Sequence, residues 1–171
     1  MARQSTVTAM SARPESDRPD LHLALVWPEI PWNTGNVARS CLAFGAQLHL
    51  VEPLGFSLDA SAVKRAGLDY WEHVKPVLHR DLDALLALAP TLGTPWFLTA
   101  DAPRTLFDAP LAAPALFVLG CESEGLPAAL RAQQADRCLR IPQARGVVRS
   151  LNQSTAAAIA LAEFRRRHPL P

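Results

Sequence analysis

The most unusual stretch of the sequence is residues 141–154, where polar side chains run directly into an apolar segment. Arg149, Ser150 and Asn152 come just before the run TAAAIALAEF, which indicates a helix. That helix has no polar face before Glu163, so the sequence predicts that it is buried almost all round. The N-terminus of such a helix offers unpaired N–H groups and partial positive charge. The stretch therefore indicates a binding site, and an ordinary capped loop is the alternative.

The start of this helix carries the pattern Ser150-x-x-Gln153. In a capping box, the serine hydroxyl accepts a hydrogen bond from an unpaired backbone N–H of the first turn. The pattern predicts that Ser150 caps the helix.

A second loop, residues 120–127 (GCESEGLP), follows the apolar run ALFVL. Ligands of open α/β sheets bind beyond the carboxyl ends of strands, so this loop is a candidate binding loop. Its glycines have the spacing of half a phosphate loop, but Leu126 and Pro127 stand where lysine and serine or threonine would be needed. Glu122 and Glu124 would also repel a polyphosphate. The loop better suits a ligand with cationic character, and a plain strand-to-helix turn is the alternative.

Other reactive side chains give weaker signals. The three cysteines contain no CxxC pair, and their odd number argues against a disulfide framework, so we expect reduced thiols and a cytoplasmic location. Cys121 has no histidine near it in sequence and is interpreted as a packed thiol rather than a nucleophile. The five histidines are scattered, which predicts no metal site. The net charge of +1 neither requires nor excludes a nucleic-acid partner.

The segments that would position these loops alternate between strands and helices. Predicted strands are 21–27, 47–51, 74–78, 96–99, 115–119 and 138–141, and predicted helices are 37–44, 59–66, 81–89, 127–134 and 155–164. A loop of turn-forming residues, 29–36, precedes the first helix. Because several strands are apolar throughout, the pattern indicates an α/β fold with a mainly parallel sheet and helices on both faces.

The length of 171 residues suits one domain, and no apolar run approaches the ~20 residues that span a bilayer, so we expect no membrane association. Residues 1–20 are rich in Ser, Thr, Arg and Pro without an apolar core. They are predicted to be a disordered tail. Residues 21–171 would then form the single domain.

Three stretches, in order, resemble the three motifs of the SpoU-type 2′-O-methyltransferases of the SPOUT class: 31–39 (PWNTGNVAR), 119–127 and 141–154. Three further segments are similar to those of the small, TrmL-like tRNA methyltransferases that act on the wobble cytidine or uridine: 29–31 with 33–36, 52–56 (EPLGF) and 66–70 (AGLDY). Trp32 departs from the family pattern, in which a smaller residue is often found. The resemblance covers residue 21 to about residue 168.

This resemblance implies a fold, a cofactor and partners. The fold would be a SPOUT sheet whose C-terminal part forms a deep trefoil knot. The knot loops would bind S-adenosylmethionine without a metal, and the active site would form in a homodimer that acts on tRNA. The residues that match the family's cofactor-binding positions are Gly120, Glu122, Gly125, Leu126, Ile141, Ser150 and Leu151. Those that match its catalytic positions are Asn33, Arg39, Glu122, Ser150 and Asn152.

A ribose 2′-hydroxyl is a poor nucleophile, so such an enzyme must position it and stabilise the developing alkoxide. A guanidinium has a pKa above ~12 and is a poor base, so Arg39 is expected to hold the substrate phosphate and stabilise the alkoxide. Glu122 and Asn152 are expected to fix Arg39 and the loops by hydrogen bonds. Two alternatives remain: the same chemistry on ribosomal RNA or another tRNA position, and a catalytically silent RNA-binding protein of the same fold.

Overall fold

The computed structural model describes residues 19–58, 70–144 and 148–170. The predicted helix at 59–66 and nearly all of the predicted tail lie outside these ranges. Seven strands form one parallel sheet in the order β3-β2-β1-β6-β4-β7-β5. The strands are β1 Leu21–Val26, β2 Gln47–Val51, β3 Val77–His79, β4 Thr94–Leu98, β5 Arg104–Thr105, β6 Ala115–Leu119 and β7 Cys138–Arg140.

Five α-helices lie in the same ranges: α1 Pro31–Ala43, α2 Trp71–Val74, α3 Leu82–Leu92, α4 Ala128–Gln133 and α5 Gln153–Arg167. Short 3₁₀ turns cover Leu106–Asp108 and Ala135–Arg137. The α/β class and the parallel sheet are therefore confirmed. The third strand was predicted at 74–78, but Val74 closes α2 and the strand begins at Val77. None of the helices in the described ranges is long and apolar enough to cross a membrane.

The central strands are buried along their whole length, and their residues alternate between two cores. Leu21, Leu23 and Leu25 of β1 face one core, while Ala24 and Val26 face the other. The first core is covered by α1 and α5, and the second by α3 and α4. A sheet covered on both faces explains why these strands are apolar runs rather than alternating patterns.

Helix α1 begins six residues earlier than predicted. The predicted loop 29–36 contains its first two turns, because Pro31 stands at the start of the helix and supplies a fixed helical φ. Asn33, Thr34 and Gly35 are consequently buried helical residues rather than loop residues. The turn-forming residues of segment 31–36 had predicted a loop, although a helix can begin at a proline.

The last helix, α5, is not buried all round as predicted. Ala157, Ala160, Leu161 and Phe164 are buried, and α1 is its main helical neighbour. Its opposite side is open in the single chain, where Ala162 is exposed. The alanine run has no wide polar face on either side, so the sequence alone could not show which side of α5 is buried.

Charged residues at the end of α5 tie the chain together. Arg165 pairs with Asp20, at the predicted boundary of the tail, with 2.7 Å between its Nη2 and Asp20 Oδ1. Glu163 is buried and accepts hydrogen bonds from Arg166 and Arg167. The bond from Arg166 has the largest effect on the Glu163 carboxyl, and together the two arginines lower its pKa to about 2. Arg167 also donates to the carbonyl of Ala109. These arginines therefore hold the helix in place.

Three of the five histidines, scattered in sequence, form a hydrogen-bonded row across β1, β2 and β3. His22 Nε2 donates to the carbonyl of Pro19, so its Nδ1 must accept from His49 Nε2 at 3.0 Å. His49 Nδ1 in turn accepts from His79 Nε2 at 2.9 Å. All three rings are buried. Each neutral ring thus has a defined tautomer, and the row is neutral in the folded protein.

We expect the protein to lose stability as the pH falls from 7 to 5. Burial lowers the pKa of all three histidines, that of His49 from 6.5 to about 3. Above pH 6.5 both states are neutral. Below it the unfolded chain takes up protons that the folded row rejects, which costs about 2 kcal/mol at pH 5 for His49 alone. Melting temperatures measured between pH 5 and 7 test this. In that range Asp20 and Glu163 stay ionised in the folded protein, because their pKa values are lowered.

His49→Gln provides the control, because its amide nitrogen can still donate to His22 but does not titrate. The variant should show a shallower fall in melting temperature toward pH 5. Equal slopes for the variant and the wild type would contradict the role of the histidine row.

Candidate active site

A cavity of about 580 Å³ opens at the carboxyl ends of four neighbouring strands, β1, β6, β4 and β7. Strand order reverses at this place in the sheet. From β1, the strands β2 and β3 follow on one side, and the later strands β6, β4, β7 and β5 lie on the other side. Open α/β sheets bind ligands at such switch points. The volume is within the range of small-molecule sites. The cavity is therefore the candidate active site.

The loop after β6 forms one wall of the cavity. An isolated bridge between Cys121 and Gly125 closes it into a tight turn, in which Gly125 has a φ of +73°. A Cβ atom on Gly120 would lie 2.0 Å from the carbonyl carbon of Gly125 and 2.2 Å from the nitrogen of Leu126. Gly120 is thus required for the loop to fold back on itself.

Three predicted site residues form a chain of hydrogen bonds across the mouth of the cavity. Asn152 Nδ2 donates to Asn33 Oδ1 at 3.0 Å, and Asn33 Nδ2 donates to Glu122 Oε1 at 3.0 Å. These residues come from α1, the loop after β6 and the start of α5, and are separated by up to 119 positions in sequence. The chain therefore fixes three separate segments relative to one another.

Glu29, which the sequence analysis did not select, completes this arrangement. Glu122 accepts from the backbone N–H groups of Glu29, at 2.9 Å, and Ile30. Glu29 in turn accepts from the backbone N–H of Ser123 at 2.8 Å and from its hydroxyl at 2.7 Å. The hydrogen bonds from Ser123 lower the pKa of the Glu29 carboxyl. The loops after β1 and β6 are thus joined by reciprocal contacts.

The cap of α5 is Asn152 rather than Ser150, so the predicted capping box is wrong. Asn152 Oδ1 accepts from the backbone N–H groups of Ser154 and Thr155, and the helix begins at Gln153. Asparagine is as good a helix N-cap as serine, and Asn152, two residues after Ser150, is the N-cap of α5. Asn152 therefore serves both the helix, through its oxygen, and Asn33, through its nitrogen.

The cavity also contains buried polar atoms that have no partner within the described chain. Gln153 donates from Nε2 to the carbonyl of Gly120 at 2.8 Å, while its Oε1 is buried and unpaired. Gln143, after β7, likewise has an unpaired buried Oε1. Apolar side chains supply much of the remaining wall, among them Leu126, Ile141 and Leu151. This mixture suits a ligand that combines an apolar ring system with N–H donors.

Of the residues predicted to bind a cofactor, the structure places all seven on this cavity: Gly120, Glu122, Gly125, Leu126, Ile141, Ser150 and Leu151. Asn33 and Asn152 line it as well. Arg39, a predicted catalytic residue, is not among the described residues that line the cavity. It follows Asn33 by six positions, which places it about 240° further around α1.

The predicted contacts of Arg39 with Glu122 and Asn152 are therefore wrong. Glu122 and Asn152 bond to Asn33 instead, and the guanidinium of Arg39 lies over the ring of Tyr70, with 4.6 Å from Cζ to the ring centroid. Arg39 is exposed at the surface.

Comparison with known proteins places the chain in a family. The model of the SpoU rRNA Methylase family matches residues 20–162. A Bacillus subtilis protein that is provisionally named a tRNA (cytidine(34)-2′-O)-methyltransferase is 48% identical over 150 residues, which are 86% of this chain and 92% of the relative. A Burkholderia ambifaria tRNA (cytidine(34)-2′-O)-methyltransferase is 42% identical over 148 residues, 85% of this chain and 94% of that one.

Solved structures agree with the sequence comparison. A structure reported for the 2-OH methylation of C/U34 on tRNA superposes with a TM-score of 0.78 at 42% identity, over 86% of this chain and 90% of that one. An AdoMet-bound rRNA methyltransferase from Sinorhizobium meliloti gives a TM-score of 0.71 at 26% identity, over 91% of this chain and 60% of that one. The chain belongs to the SpoU methylase family.

Proposed function

We propose that the protein transfers a methyl group from S-adenosylmethionine to the ribose 2′-hydroxyl of a tRNA nucleotide, the wobble cytidine or uridine at position 34. The observation that carries the proposal is the hydrogen-bonded chain Asn152–Asn33–Glu122 across a cavity lined by all three family motifs. Relatives 40–48% identical over most of the chain are named for this activity. The chain also has every residue that matches the family's catalytic positions, and this intact set speaks against a catalytically silent RNA-binding protein: Asn33, Arg39, Glu122, Ser150 and Asn152.

The residues of the cavity fit S-adenosylmethionine, which contains an adenine ring, a ribose and an amino-acid tail. Leu126, Ile141 and Leu151 offer apolar contact to the adenine ring. The unpaired Oε1 atoms of Gln143 and Gln153 offer acceptors for N–H groups of the ligand. When bound, the cofactor supplies an electrophilic methyl group on a sulfonium, which needs no Lewis acid. Ser150 is an exposed residue of the cavity lining and would contact the cofactor.

In the reaction, the residues of this chain position the partners and stabilise charge. Glu122 holds Asn33 in place, and Asn33 and Asn152 line the side of the cavity from which the substrate ribose would enter. Arg39 lies on another face of α1, outside the cavity of its own chain. In the homodimer that the family resemblance implies, it would reach RNA bound at the cavity of the second copy, where it would hold the phosphate beside the target ribose. Its positive charge would stabilise the alkoxide. Transfer would form the bond between the 2′-oxygen and the methyl carbon, break the bond between that carbon and the sulfonium sulfur, and leave S-adenosylhomocysteine as the product. The hydroxyl proton passes to phosphate or solvent.

We further propose that the protein is a homodimer and that the segment leading into α5 is threaded as a trefoil knot. The open side of α5 supports the dimer, because the exposed Ala162 and the half-buried Ala158 are small and allow close approach of a second copy. Gln153 and Asn152 contact the loop after β6 and the start of α1, respectively, which supports passage of this segment between those elements. Light scattering at assay concentrations is expected to give a dimer, and an active, stable monomer would contradict it.

Asn152 allows a test that separates stability from activity. Asn152→Asp keeps the oxygen that caps α5 but loses the N–H group that reaches Asn33, so it should melt close to the wild type and transfer methyl groups at least about tenfold more slowly. Asn152→Ala loses both contacts and should also lose about 1 kcal/mol of stability. Thermal melting and single-turnover transfer measure the two effects. Wild-type transfer by Asn152→Asp would show that the contact with Asn33 is not used.

The substrate is tested with purified protein, S-adenosylmethionine and either total tRNA or ribosomal RNA from cells that lack the protein. We expect a 2′-O-methyl group at nucleotide 34 of tRNA, located by mass spectrometry of nuclease fragments. Methylation of ribosomal RNA, or of another tRNA position, would favour the alternative substrates. Cofactor binding without transfer to either RNA would favour the silent binding protein.

A further inference from the structure

Arg39 rests on an aromatic ring that belongs to a different part of the chain. The guanidinium carbon lies 4.6 Å from the centroid of the Tyr70 ring, within the distance at which a cation is attracted to the face of a ring. No hydrogen bond or ion pair joins Arg39 side-chain atoms to any other residue in the described ranges. Among the described residues, the contact with Tyr70 is therefore what fixes the direction of this side chain.

Tyr70 is itself held against α1. Its hydroxyl donates to the carbonyl of Gly35 at 2.9 Å, and its ring packs against the first hydrophobic core. Gly35 precedes Arg39 by one helical turn, and in an α-helix its carbonyl also accepts the backbone N–H of Arg39. Tyr70 thus contacts both ends of the turn that carries Arg39: the carbonyl where the turn starts and the guanidinium where it ends.

Stacking suits a guanidinium that must bind an anion. The ring contacts the guanidinium through its face, and no described residue accepts a hydrogen bond from the N–H groups of Arg39, so these donors are available to an anion. An exposed arginine without such support samples many rotamers, and ordering it on substrate binding costs conformational entropy. A guanidinium already held over a ring loses less of that entropy when a phosphate and an alkoxide arrive.

We propose that Tyr70 is a positioning residue for Arg39, which it holds in the orientation needed to bind the substrate phosphate and stabilise the alkoxide. The inference rests on the proposed function and extends it. Tyr70 lies outside the cavity lining and would act on the reaction only through Arg39, so its removal should change the rate of transfer without changing cofactor affinity.

The test is a double-mutant cycle of Tyr70→Leu and Arg39→Ala, read by single-turnover methyl transfer at saturating S-adenosylmethionine and tRNA. Tyr70→Leu should lower the rate about tenfold, in keeping with the strength of a cation–π contact. Tyr70→Phe, which keeps the ring, should recover most of that loss. In the Arg39→Ala background, Tyr70→Leu should have no further effect, because the group that it positions is gone.

Calorimetry with S-adenosylmethionine and thermal melting accompany each variant, and cofactor affinity is expected to stay within about twofold of the wild type. If Tyr70→Leu does not fold, Tyr70→Met replaces it, since methionine fills irregular space without providing a ring. A wild-type rate for the ring-less variant, or an equal loss in both backgrounds, would overturn the inference. A wild-type rate for Arg39→Ala would instead overturn the proposed role of Arg39.

Discussion

Replacing Arg39 with alanine is expected to lower the single-turnover rate of methyl transfer to tRNA by about 10²–10³-fold, as for the loss of one oxyanion-hole donor. The side chain is exposed and has no ion-pair partner in the described part of the chain, so an arginine of this kind is not needed for the fold. Its substitution should change the free energy of unfolding by only about 0.5 kcal/mol. A large loss of rate would then come from the transition state.

Arg39→Lys is the informative companion variant. An ammonium keeps the charge but cannot lie flat on Tyr70 while offering two parallel donors to a phosphate, so the rate should recover poorly. Cofactor affinity should be unchanged in both variants, because Arg39 lies outside the cavity. Two folded variants that bind the cofactor and transfer methyl groups at the wild-type rate would make Arg39 an ordinary surface residue.

Gly120→Ala is expected to lower the affinity for S-adenosylmethionine at least about 100-fold, a free-energy loss of the size that overpacking produces. The added methyl group would lie 2.0–2.3 Å from the backbone of Gly125 and Leu126 and would force the loop after β6 open. That loop carries Glu122 and lines the cavity. The effect would be indirect, because the methyl group meets the loop itself rather than space for the ligand. Calorimetry on the free protein measures it.

Gly45→Ala is the matched control for a glycine substitution. Gly45 follows α1 with a φ of +62°, so alanine is strained there by about 1 kcal/mol, but its nearest neighbour is the flexible side chain of Leu170. The control should lose stability and keep cofactor affinity. Cofactor binding by Gly120→Ala at wild-type strength would contradict the described path of the loop.

The contrast between Asn33 and Arg39 shows what could and could not be predicted from the sequence. Residue types in three motifs placed Asn33, Glu122 and Asn152 near a ligand, and the carboxyl ends of parallel strands brought them together. Asn33 and Arg39 point in different directions because both lie on α1, and the sequence analysis had placed the start of that helix after Asn33. Pro31 moved that start by two turns, and the partner of Arg39 came from Tyr70, 31 residues further along the chain.

Contacts between distant segments had no local signal. His22, His49 and His79 meet because β1, β2 and β3 are neighbours in a particular register, which no spacing in the sequence reveals. Glu29 and Ser123 are 94 positions apart, and their pairing follows from strand order. A glutamate three residues after the end of the first strand was the available clue, because residues beyond that end of the sheet can reach the site.

The central claim is that the 2′-hydroxyl of nucleotide 34 receives the methyl group, and the most direct test is a pair of tRNAs that differ only at that atom. One carries the normal ribonucleotide at position 34, and the other carries the 2′-deoxynucleotide. We expect one methyl group to be transferred from S-adenosylmethionine to the first and none to the second, although both should bind the protein. Equal transfer to both tRNAs, or transfer to neither, would contradict the proposed function.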